Sequence, residues 1–487
     1  MRYRFTAGAA LLGALALSLT PALVPAQAGA SGQRQSQHRG AVQPPGQHRG
    51  PAAAPASGAG IWPATLPVSD ISRSCRGQNT EPEEAADSTG HHVYVVWTGC
   101  GGIGFARSAN GGLRFRPPVR LPASSGAFDP AVAVAPNGTV YAVFMKQTAR
   151  HQFPVVVASF DHGRSFPQVA RLRPRRVGNF GGRPFIAAAP DGIVYLTWDY
   201  GPNASAVSYI CTKHGGGCSF ATGDLNIVLQ KSADFGLTWG PMTAVSPGFP
   251  VSGADSAPLL VEPGGRIDVE YQDYSVTDRA KLTLGPAHSY FTSSADRGVT
   301  WSSPVRVGPA RLSMAPAEWW IDGSVARDTG GNLYVTWDSQ HHGRDVGWLA
   351  YSTDGGRAWS APIRVTPDRD HATHIVEVAG GFRGTAYVAW LADNTACGYA
   401  LRVRAYSIFS GWLSRPVRVS GRCGRRRVWP GGTFGIAALP PANLATGAWQ
   451  LALSWGSAVG HRHRPPSRIR STLATYPGQM AVSRPAQ

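Results

Sequence analysis

The most regular feature of the chain is a short segment in which apolar and polar residues alternate, which follows a tight turn and ends in an aromatic residue. Pro136-Asn137-Gly138 leads into one such segment, and Pro190-Asp191-Gly192 leads into another. Asn-Gly and Asp-Gly readily adopt the positive φ of tight hairpins, and alternation is typical of a strand with two different faces. The pattern therefore predicts a series of antiparallel hairpins. It recurs seven times, with the aromatics Trp97, Phe144, Trp198, Tyr271, Trp337, Trp390 and Trp455.

A second motif, of the form Ser-x-Asp-x-Gly-x-Thr-Trp, follows most of these hairpins, and one copy runs from Ser232 to Trp239. An Asp side chain in such a turn can accept backbone N–H bonds, and Gly takes the left-handed backbone conformation. The aromatic ring can then fold over the hairpin and bury apolar area. We interpret the motif as a structural turn. Its carboxylates are Asp161, Asp234, Asp296 and Asp354.

These copies resemble the Asp-box (BNR) repeats of the sialidase-like β-propeller superfamily. The resemblance covers roughly residues 60 to 478 and implies an all-β propeller of four-stranded blades. We predict seven blades; six, the usual number in that superfamily, is the alternative. Residues 60 to 70 read like the outer strand of an intact repeat. We therefore predict that an N-terminal strand completes the last blade, which closes the ring and protects its ends.

In a propeller the innermost strand of each blade begins, and the second strand ends, on one face of the ring. The Asp-box turns lie on the opposite face, so we do not expect them to act in catalysis. Polar residues at the other strand ends should surround the mouth of the central channel, where they could bind a polar ligand. The predicted substrate-binding residues are Glu81, Asp255, Asp273, Asp322, Asp338 and His374.

The resemblance also implies a chemistry. Sialidases clamp the substrate carboxylate with three Arg, use a Tyr paired with a Glu as nucleophile, and use an Asp as acid and base. Arg183 is the nearest match to the first Arg, while a second and a third inward Arg have no clear counterpart. Candidate nucleophiles are Tyr200 and Tyr271, and candidate acids are Asp129 and Asp199.

Two functions follow from these residues. One is an exo-glycosidase of the exo-α-sialidase type, which would hydrolyse terminal acidic sugars. The other is a non-catalytic extracellular propeller that binds a glycan or a protein. The fold is compatible with both, so the sequence leaves the choice open.

The charge balance bears on the partner. The chain has 46 Lys and Arg against 28 Asp and Glu, a formal net charge of +18. The Arg residues are spread along the chain except in two clusters, at residues 171 to 176 and 422 to 427. A basic surface attracts polyanions. We expect a glycan or cell-envelope polysaccharide as partner, a monomer, and no nucleic acid. No motif predicts a cofactor or a metal site.

Residues 1 to 30 combine basic residues, an apolar run and small residues, which predicts a secretory signal peptide and an extracellular protein. Residues 31 to 58 predict a disordered linker rich in Pro, Gly, Gln and Arg, residues 59 to 478 the propeller, and residues 479 to 487 a disordered tail. No second stretch is apolar enough for a transmembrane segment. Oxidation outside the cell favours disulfides. By proximity we pair Cys75 with Cys100, Cys211 with Cys218, and Cys397 with Cys423.

Overall fold

Every regular element in the computed structural model of this protein, within the residues it describes, is a β-strand. The described residues are 69–202, 205–210, 217–222, 225–247, 252–278, 283–284, 287–311, 323–341, 344–367, 372–394, 398–419, 432–441, 448–458 and 467–475. The predicted signal peptide, linker and C-terminal tail lie outside these ranges. Within them, no helix has the length and hydrophobicity needed to cross a membrane.

The strands form seven antiparallel blades and are numbered along the chain, beginning with β1 (Ser69–Asp70). Blade 1 contains β2 (Thr80–Ala86), β3 (Val93–Gly99), β4 (Gly102–Ser108) and β5 (Val119–Arg120). Blade 2 contains β6 (Phe128–Val134), β7 (Val140–Gln147), β8 (Gln152–Ser159) and β9 (Gln168–Arg171). Blade 3 contains β10 (Phe180–Ala188), β11 (Val194–Gly201), β14 (Asn226–Ser232) and β15 (Thr243–Ala244), with an inserted hairpin of β12 (Ser205–Ile210) and β13 (Gly217–Thr222).

The remaining blades follow the same order. Blade 4 contains β16 (Ser252–Asp255) and β17 (Leu259–Val261), which together form its innermost strand, then β18 (Ile267–Asp278), β20 (Ala287–Ser294) and β21 (Val305–Arg311), with β19 (Thr283–Leu284) paired to β18. Blade 5 contains β22 (Ser324–Arg327), β23 (Leu333–His341), β24 (Arg344–Ser352) and β25 (Ile363–Arg364). Blade 6 contains β26 (Ala372–Gly380), β27 (Thr385–Asn394), β28 (Gly398–Ser407), β29 (Gly411–Trp412) and β30 (Val417–Arg418). Blade 7 contains β31 (Gly435–Leu439), β32 (Gln450–Ala458) and β33 (Ser467–Thr475).

The last blade is completed from the N-terminal side. β1 pairs antiparallel with β33, so that Ser69 lies opposite Ser471 and Asp70 opposite Arg470. Just beyond β1, the Ser72 hydroxyl accepts a hydrogen bond of 2.9 Å from the backbone N–H of Ile469. The predicted closure is confirmed at residues 69 and 70, and the rest of the predicted closing strand lies outside the described residues.

Apolar side chains fill the interfaces between neighbouring blades. In each blade the second strand carries the aromatic residue of the repeat pattern, and all seven are buried because both faces of a blade pack against neighbours. Between blades 6 and 7, for example, Leu401 and Val403 pack with Leu453 and Trp455. Burial of each large apolar side chain contributes about 2–3 kcal/mol. The periodic pattern in the sequence therefore arises from these repeated interfaces between blades.

A disulfide joins Cys75, which follows the closing strand, to Cys100 at the end of β3, with a Cα–Cα distance of 4.6 Å. This pair agrees with the prediction from proximity. The other two predicted pairs, Cys211–Cys218 and Cys397–Cys423, include residues outside the described ranges.

Candidate functional site

The innermost strands share a backbone irregularity where they begin. Glu81, Asp129, Arg183, Ser256 and Ile375 have positive φ values between 42° and 56°, which non-glycine residues rarely adopt. The strand pairing shifts register next to four of them, and the innermost strand of blade 4 is interrupted at the fifth. A β-bulge of this kind redirects a side chain. We call the face on which these strands begin the site face.

Side chains from three of these bulges meet at a small pocket, which we call the axial pocket. Glu81, Asp129 and Arg183 line it together with Glu83 and Thr433, and its volume is about 10 Å³, roughly the space of one water molecule. Five residues from blades 1, 2, 3 and 7 therefore converge on one point.

Hydrogen bonds hold the carboxyl groups of the pocket. The hydroxyl of Thr98 donates to Oε2 of Glu81 over 3.0 Å, and the backbone N–H of Arg183 donates to Oδ2 of Asp129 over 3.4 Å. These carboxyl groups retain partial solvent access but are enclosed by protein on most sides. The arrangement fixes their positions before any ligand arrives.

Arg183 lies among acidic groups. Burial disfavours its charge, but the nearby carboxylates of Asp129, Asp255, Glu81 and Glu83 outweigh this effect and raise the pKa of the guanidinium. Arg183 is therefore a permanent cation. It is the one guanidinium that lines the axial pocket among the described residues.

Burial raises the pKa of most of these carboxyl groups. The pKa of Glu81 rises to about 7 because of burial and the charge of Asp129, although Arg183 opposes the rise. Burial also raises the pKa of Glu377 to about 7, and holds the pKa of Glu83 well above its usual value with help from the charge of Glu377. For Asp129, burial raises the pKa against the opposing charge of Arg183. Near neutral pH the cluster therefore contains both protonated and ionised carboxyl groups.

Asp199 and Asp255 form a second carboxyl pair beside Arg183. Only 1% of Asp199 is exposed, and burial together with the charge of Asp255 holds its pKa well above the usual value. The two carboxyl groups lie within hydrogen-bonding reach of each other. The charge of Asp255 therefore disfavours ionisation of Asp199. The Oδ1 atom of Asp199 is buried without a hydrogen-bond partner.

The structure keeps other predicted site residues away from the axial pocket. Tyr271 is 1% exposed and stacks on Tyr290 in the apolar interface between blades 3 and 4, with ring centroids 5.7 Å apart. Tyr200 is half-buried against Trp198, with centroids 5.2 Å apart. Asp338 is 2% exposed. Neither Tyr lines the axial pocket.

Asp273 instead pairs with a histidine. Its Oδ1 atom is 2.9 Å from Nδ1 of His288 and accepts the backbone N–H of the same residue over 2.7 Å. This pair lies on the site face, where Asp273 of β18 lies opposite Ala254 of β16 on one side and His288 of β20 on the other. Asp322 lies outside the described residues, and only the backbone of His374, in β26, is described.

The four Asp-box carboxylates lie on the opposite face, in the turns that follow the third strands. Oδ1 of Asp234 accepts bonds from the Ser232 hydroxyl and the Thr238 N–H, and Oδ2 accepts the Thr238 hydroxyl, over 2.5 to 2.8 Å. These bonds, the Thr238 hydroxyl first, lower the pKa of Asp234 to about 2. Similar bonds occupy the other carboxylates, Asp161, Asp296 and Asp354.

Sequence reasoning missed three residues near the site. Glu83 shares β2 with Glu81, and the two-residue period of a strand could have found it. Glu377 lies two residues after the bulge at Ile375, and the sequence does not reveal this bulge. His288 becomes visible only through the pairing of β18 with β20. Within the described ranges, no three His, Cys, Asp or Glu side chains are arranged to hold a metal ion.

Comparison with known proteins supports the architecture. No protein-family model matches the chain, and no curated protein matches its sequence. Among solved structures, an ulvan lyase described as a new family of polysaccharide lyase, PL25, has a TM-score of 0.52 at 14% identity, covering 84% of this chain and 96% of its own. An ulvan lyase structure bound to -[GlcA(1-4)Rha3S]- gives 0.52 at 13% identity, with the same coverage. A Hadza microbial sialidase gives 0.44 at 15% identity, covering 69% of this chain and 66% of its own. At 13–14% identity, the similarity to the ulvan lyase structures shows that this protein shares their fold.

Proposed function

We propose that this protein is an exported propeller that acts on a glycan and cleaves a glycosidic bond at the axial pocket. The observation that carries the proposal is the convergence of Glu81, Asp129 and Arg183 from three strained bulges, with carboxyl groups whose pKa values burial has raised. Strained backbone and perturbed carboxyl groups are typical of catalytic sites. The printed description of the ulvan lyase, a polysaccharide-cleaving enzyme with the same fold, supports the substrate class.

The residues divide into roles. Glu81, with a pKa of about 7, still carries a proton near neutral pH and can donate it to the leaving oxygen as the sugar C–O bond breaks. Asp129, whose negative charge Arg183 favours against the effect of burial, is the partner that accepts a proton from the attacking water. Arg183 orients Asp129 through its backbone N–H and supplies a fixed positive charge.

A sialidase-type mechanism fits these residues less well. Sialidases hold an anionic sugar with three Arg, whereas the described residues bring only Arg183 to the axial pocket, among several carboxyl groups. An anionic sugar in this pocket would be repelled. Tyr271, one candidate nucleophile, is enclosed in the core. The proposal therefore favours a carboxyl pair that acts at a neutral sugar unit.

One observation favours the non-catalytic alternative. The axial pocket is only about 10 Å³, which suits a single bridging water better than a sugar ring. On this second hypothesis, the carboxyl groups and Arg183 hold the inner strands together, and the protein binds a glycan or another protein through its loops.

The decisive experiment measures cleavage of a panel of neutral polysaccharides, anionic polysaccharides and sialosides. Release of reducing ends detects hydrolysis, and ultraviolet absorbance of an unsaturated product detects elimination. We expect Glu81→Gln and Asp129→Asn each to lower turnover by about 10²- to 10⁴-fold. The matched control is Glu84→Gln, which removes a buried carboxyl from the same strand outside the pocket and should change turnover by less than about twofold.

The pH dependence gives a second readout. Because Glu81 must be protonated to act as the acid, wild-type turnover should fall as the pH rises through about 7. The absence of cleavage across the whole panel would support the binding alternative. Cleavage that survives both pocket substitutions would contradict the proposed roles.

A further inference from the structure

A group of cations lies on the site face of blade 2. The loop between β7 and β8 carries Arg150, and the loop between β9 and β10 carries Arg173, Arg175 and Arg176, all exposed to solvent. Lys146, near the end of β7, is half-buried. We call these five residues the cationic rim. Three of its arginines come from the Arg cluster at residues 171 to 176, to which the proposed cleavage assigns no role.

On this face blade 2 carries Asp129, which belongs to the axial pocket and lies beside Arg183. From residue 140 to residue 180 the chain contains one carboxylate, Asp161. That carboxylate belongs to the Asp-box turn on the opposite face, where hydrogen bonds within the turn occupy it. The stretch of chain that carries the five cations of the rim therefore has no carboxylate of its own on this face.

Hydrogen bonds join the two loops of the rim. The backbone N–H of Gly178 donates to the carbonyl oxygen of Arg150 over 2.8 Å. Nδ1 of His151 lies 3.1 Å from the carbonyl oxygen of Arg176, at hydrogen-bonding distance. The backbone of both loops is thus positioned in advance, which lowers the entropy cost of binding a ligand.

The rim is connected to the axial pocket through β10. The chain runs from Arg176 directly into β10, which carries Arg183, and Gly181 of that strand pairs with Tyr200. Gln152 braces this connection, because its side-chain oxygen accepts the N–H of Gly181 over 3.0 Å. The charge of Arg176 also reaches Tyr200, since it opposes the rise in the pKa of that phenol that burial causes. A carboxyl-rich pocket and a guanidinium-rich rim therefore lie on the same face of the ring and are linked by one strand.

We infer that the cationic rim is a subsite for the charged unit of an anionic polysaccharide that carries carboxylate or sulfate groups. The inference rests on the proposed function and specifies its substrate class. Guanidinium groups bind carboxylate and sulfate oxygens with two parallel hydrogen bonds. The axial carboxyl groups repel such an anion, so a chain with charged and uncharged units would place an uncharged unit in the pocket and a charged unit on the rim.

The test compares two triple variants with the same loss of charge. Arg150→Ser, Arg175→Ser and Arg176→Ser together remove three cations from the rim. The matched control combines Arg114→Ser, Arg116→Ser and Arg357→Ser, which removes three exposed cations from the turns that follow β4 and β24 on the opposite face. Equal unfolding midpoints would show that both variants keep the fold.

Binding is measured by titration calorimetry with polygalacturonate, dextran sulfate and neutral dextran, at low and at physiological ionic strength. We expect wild-type protein to bind one or both anionic polymers and not neutral dextran. The rim variant should bind at least about tenfold more weakly and with less dependence on salt, because three ion pairs are lost. The control should change affinity by less than about twofold. The two anionic polymers separate a carboxylate from a sulfate preference.

Three outcomes would overturn the inference: equal weakening in both variants, unchanged affinity in the rim variant, or binding to phosphatidylglycerol vesicles but to neither polymer. The results that would contradict the proposed cleavage differ from those that would contradict the rim subsite. If no glycan is cleaved but only the rim variant loses polymer binding, the subsite stands and the cleavage proposal falls. If Glu81→Gln abolishes cleavage while the rim variant binds polymer as wild type does, the reverse holds.

Discussion

Replacement of Glu84 by Gln should make this protein more stable at alkaline pH. Glu84 lies in β2 against blade 7, and a Cβ on Gly435 would lie only 2.4 Å from the Cβ of Glu84 and from Oγ of Ser454. The two carboxyl oxygens of Glu84 are buried, and only the hydroxyl of Ser454 acts to stabilise a negative charge there. Burial raises the pKa of Glu84 to about 8, from an ordinary value of 4.5. The site therefore fits the protonated, neutral form.

The magnitude follows from proton linkage. Each pKa unit is worth about 1.4 kcal/mol, so a rise from 4.5 to about 8 sets an upper limit of about 5 kcal/mol. Buried sites in proteins behave as if their dielectric constant were higher than that of a dry interior, which reduces the effect to about 2–3 kcal/mol. Below pH 4.5 both states hold the proton. Between pH 4.5 and about 8 the unfolded chain releases it first, so the free energy of unfolding falls as the pH rises through this range.

Urea unfolding at about pH 5 and about pH 9 measures this difference. Glutamine has nearly the same shape and no charge, so the variant should match wild type to within about 1 kcal/mol at the lower pH. At the higher pH it should be more stable than wild type by about 2–3 kcal/mol. Other carboxyl groups with raised pKa values are present in both proteins and cancel in the comparison. Parallel pH profiles for wild type and variant would refute the reasoning.

Three further substitutions test the ring. Gly380→Ala should lower the free energy of unfolding in urea by about 1–3 kcal/mol or more, because a Cβ there would lie 1.9 Å from the carbonyl oxygen of Arg327. An unchanged unfolding midpoint would contradict this close approach. Ser72→Ala should lower the free energy of unfolding by about 1–3 kcal/mol, because it leaves the N–H of Ile469 buried and unpaired beside the closing strand. A smaller loss of stability than in an exposed Ser→Ala control would argue against ring closure at this strand. Asp161→Ala should destabilise the protein at neutral pH. Burial slightly opposes ionisation, but hydrogen bonds in the turn lower the pKa of Asp161 below its usual value, so this stabilisation is lost as the pH falls and wild type and variant should converge in acid.

The repeats made most of the fold predictable. A strand that alternates along its length and packs on both faces must place an aromatic at the same register in every blade, and all seven predicted aromatics are buried. The closing strand was predictable for the same reason, since the residues around β1 resemble the outer strand of blade 5. Glu81, Asp129 and Arg183 could be placed on the site face because the order of strands in a blade determines the face on which each strand begins.

The sequence alone thus determined the class of fold and the face that carries the polar residues, because these depend on local periodicity and chain direction. It predicted seven blades but left six open, and the structure shows seven. Only the tertiary structure decided which polar residues meet. The bulges that redirect Glu81, Asp129 and Arg183 toward one point depend on strain that the whole ring supports, and the raised pKa values of Glu83 and Glu377 depend on burial by neighbouring blades. Tyr271 was predicted to lie near the site face, but in the structure it is buried in the core, where it packs against Tyr290. Such contacts join residues far apart in the chain, and no local pattern encodes them.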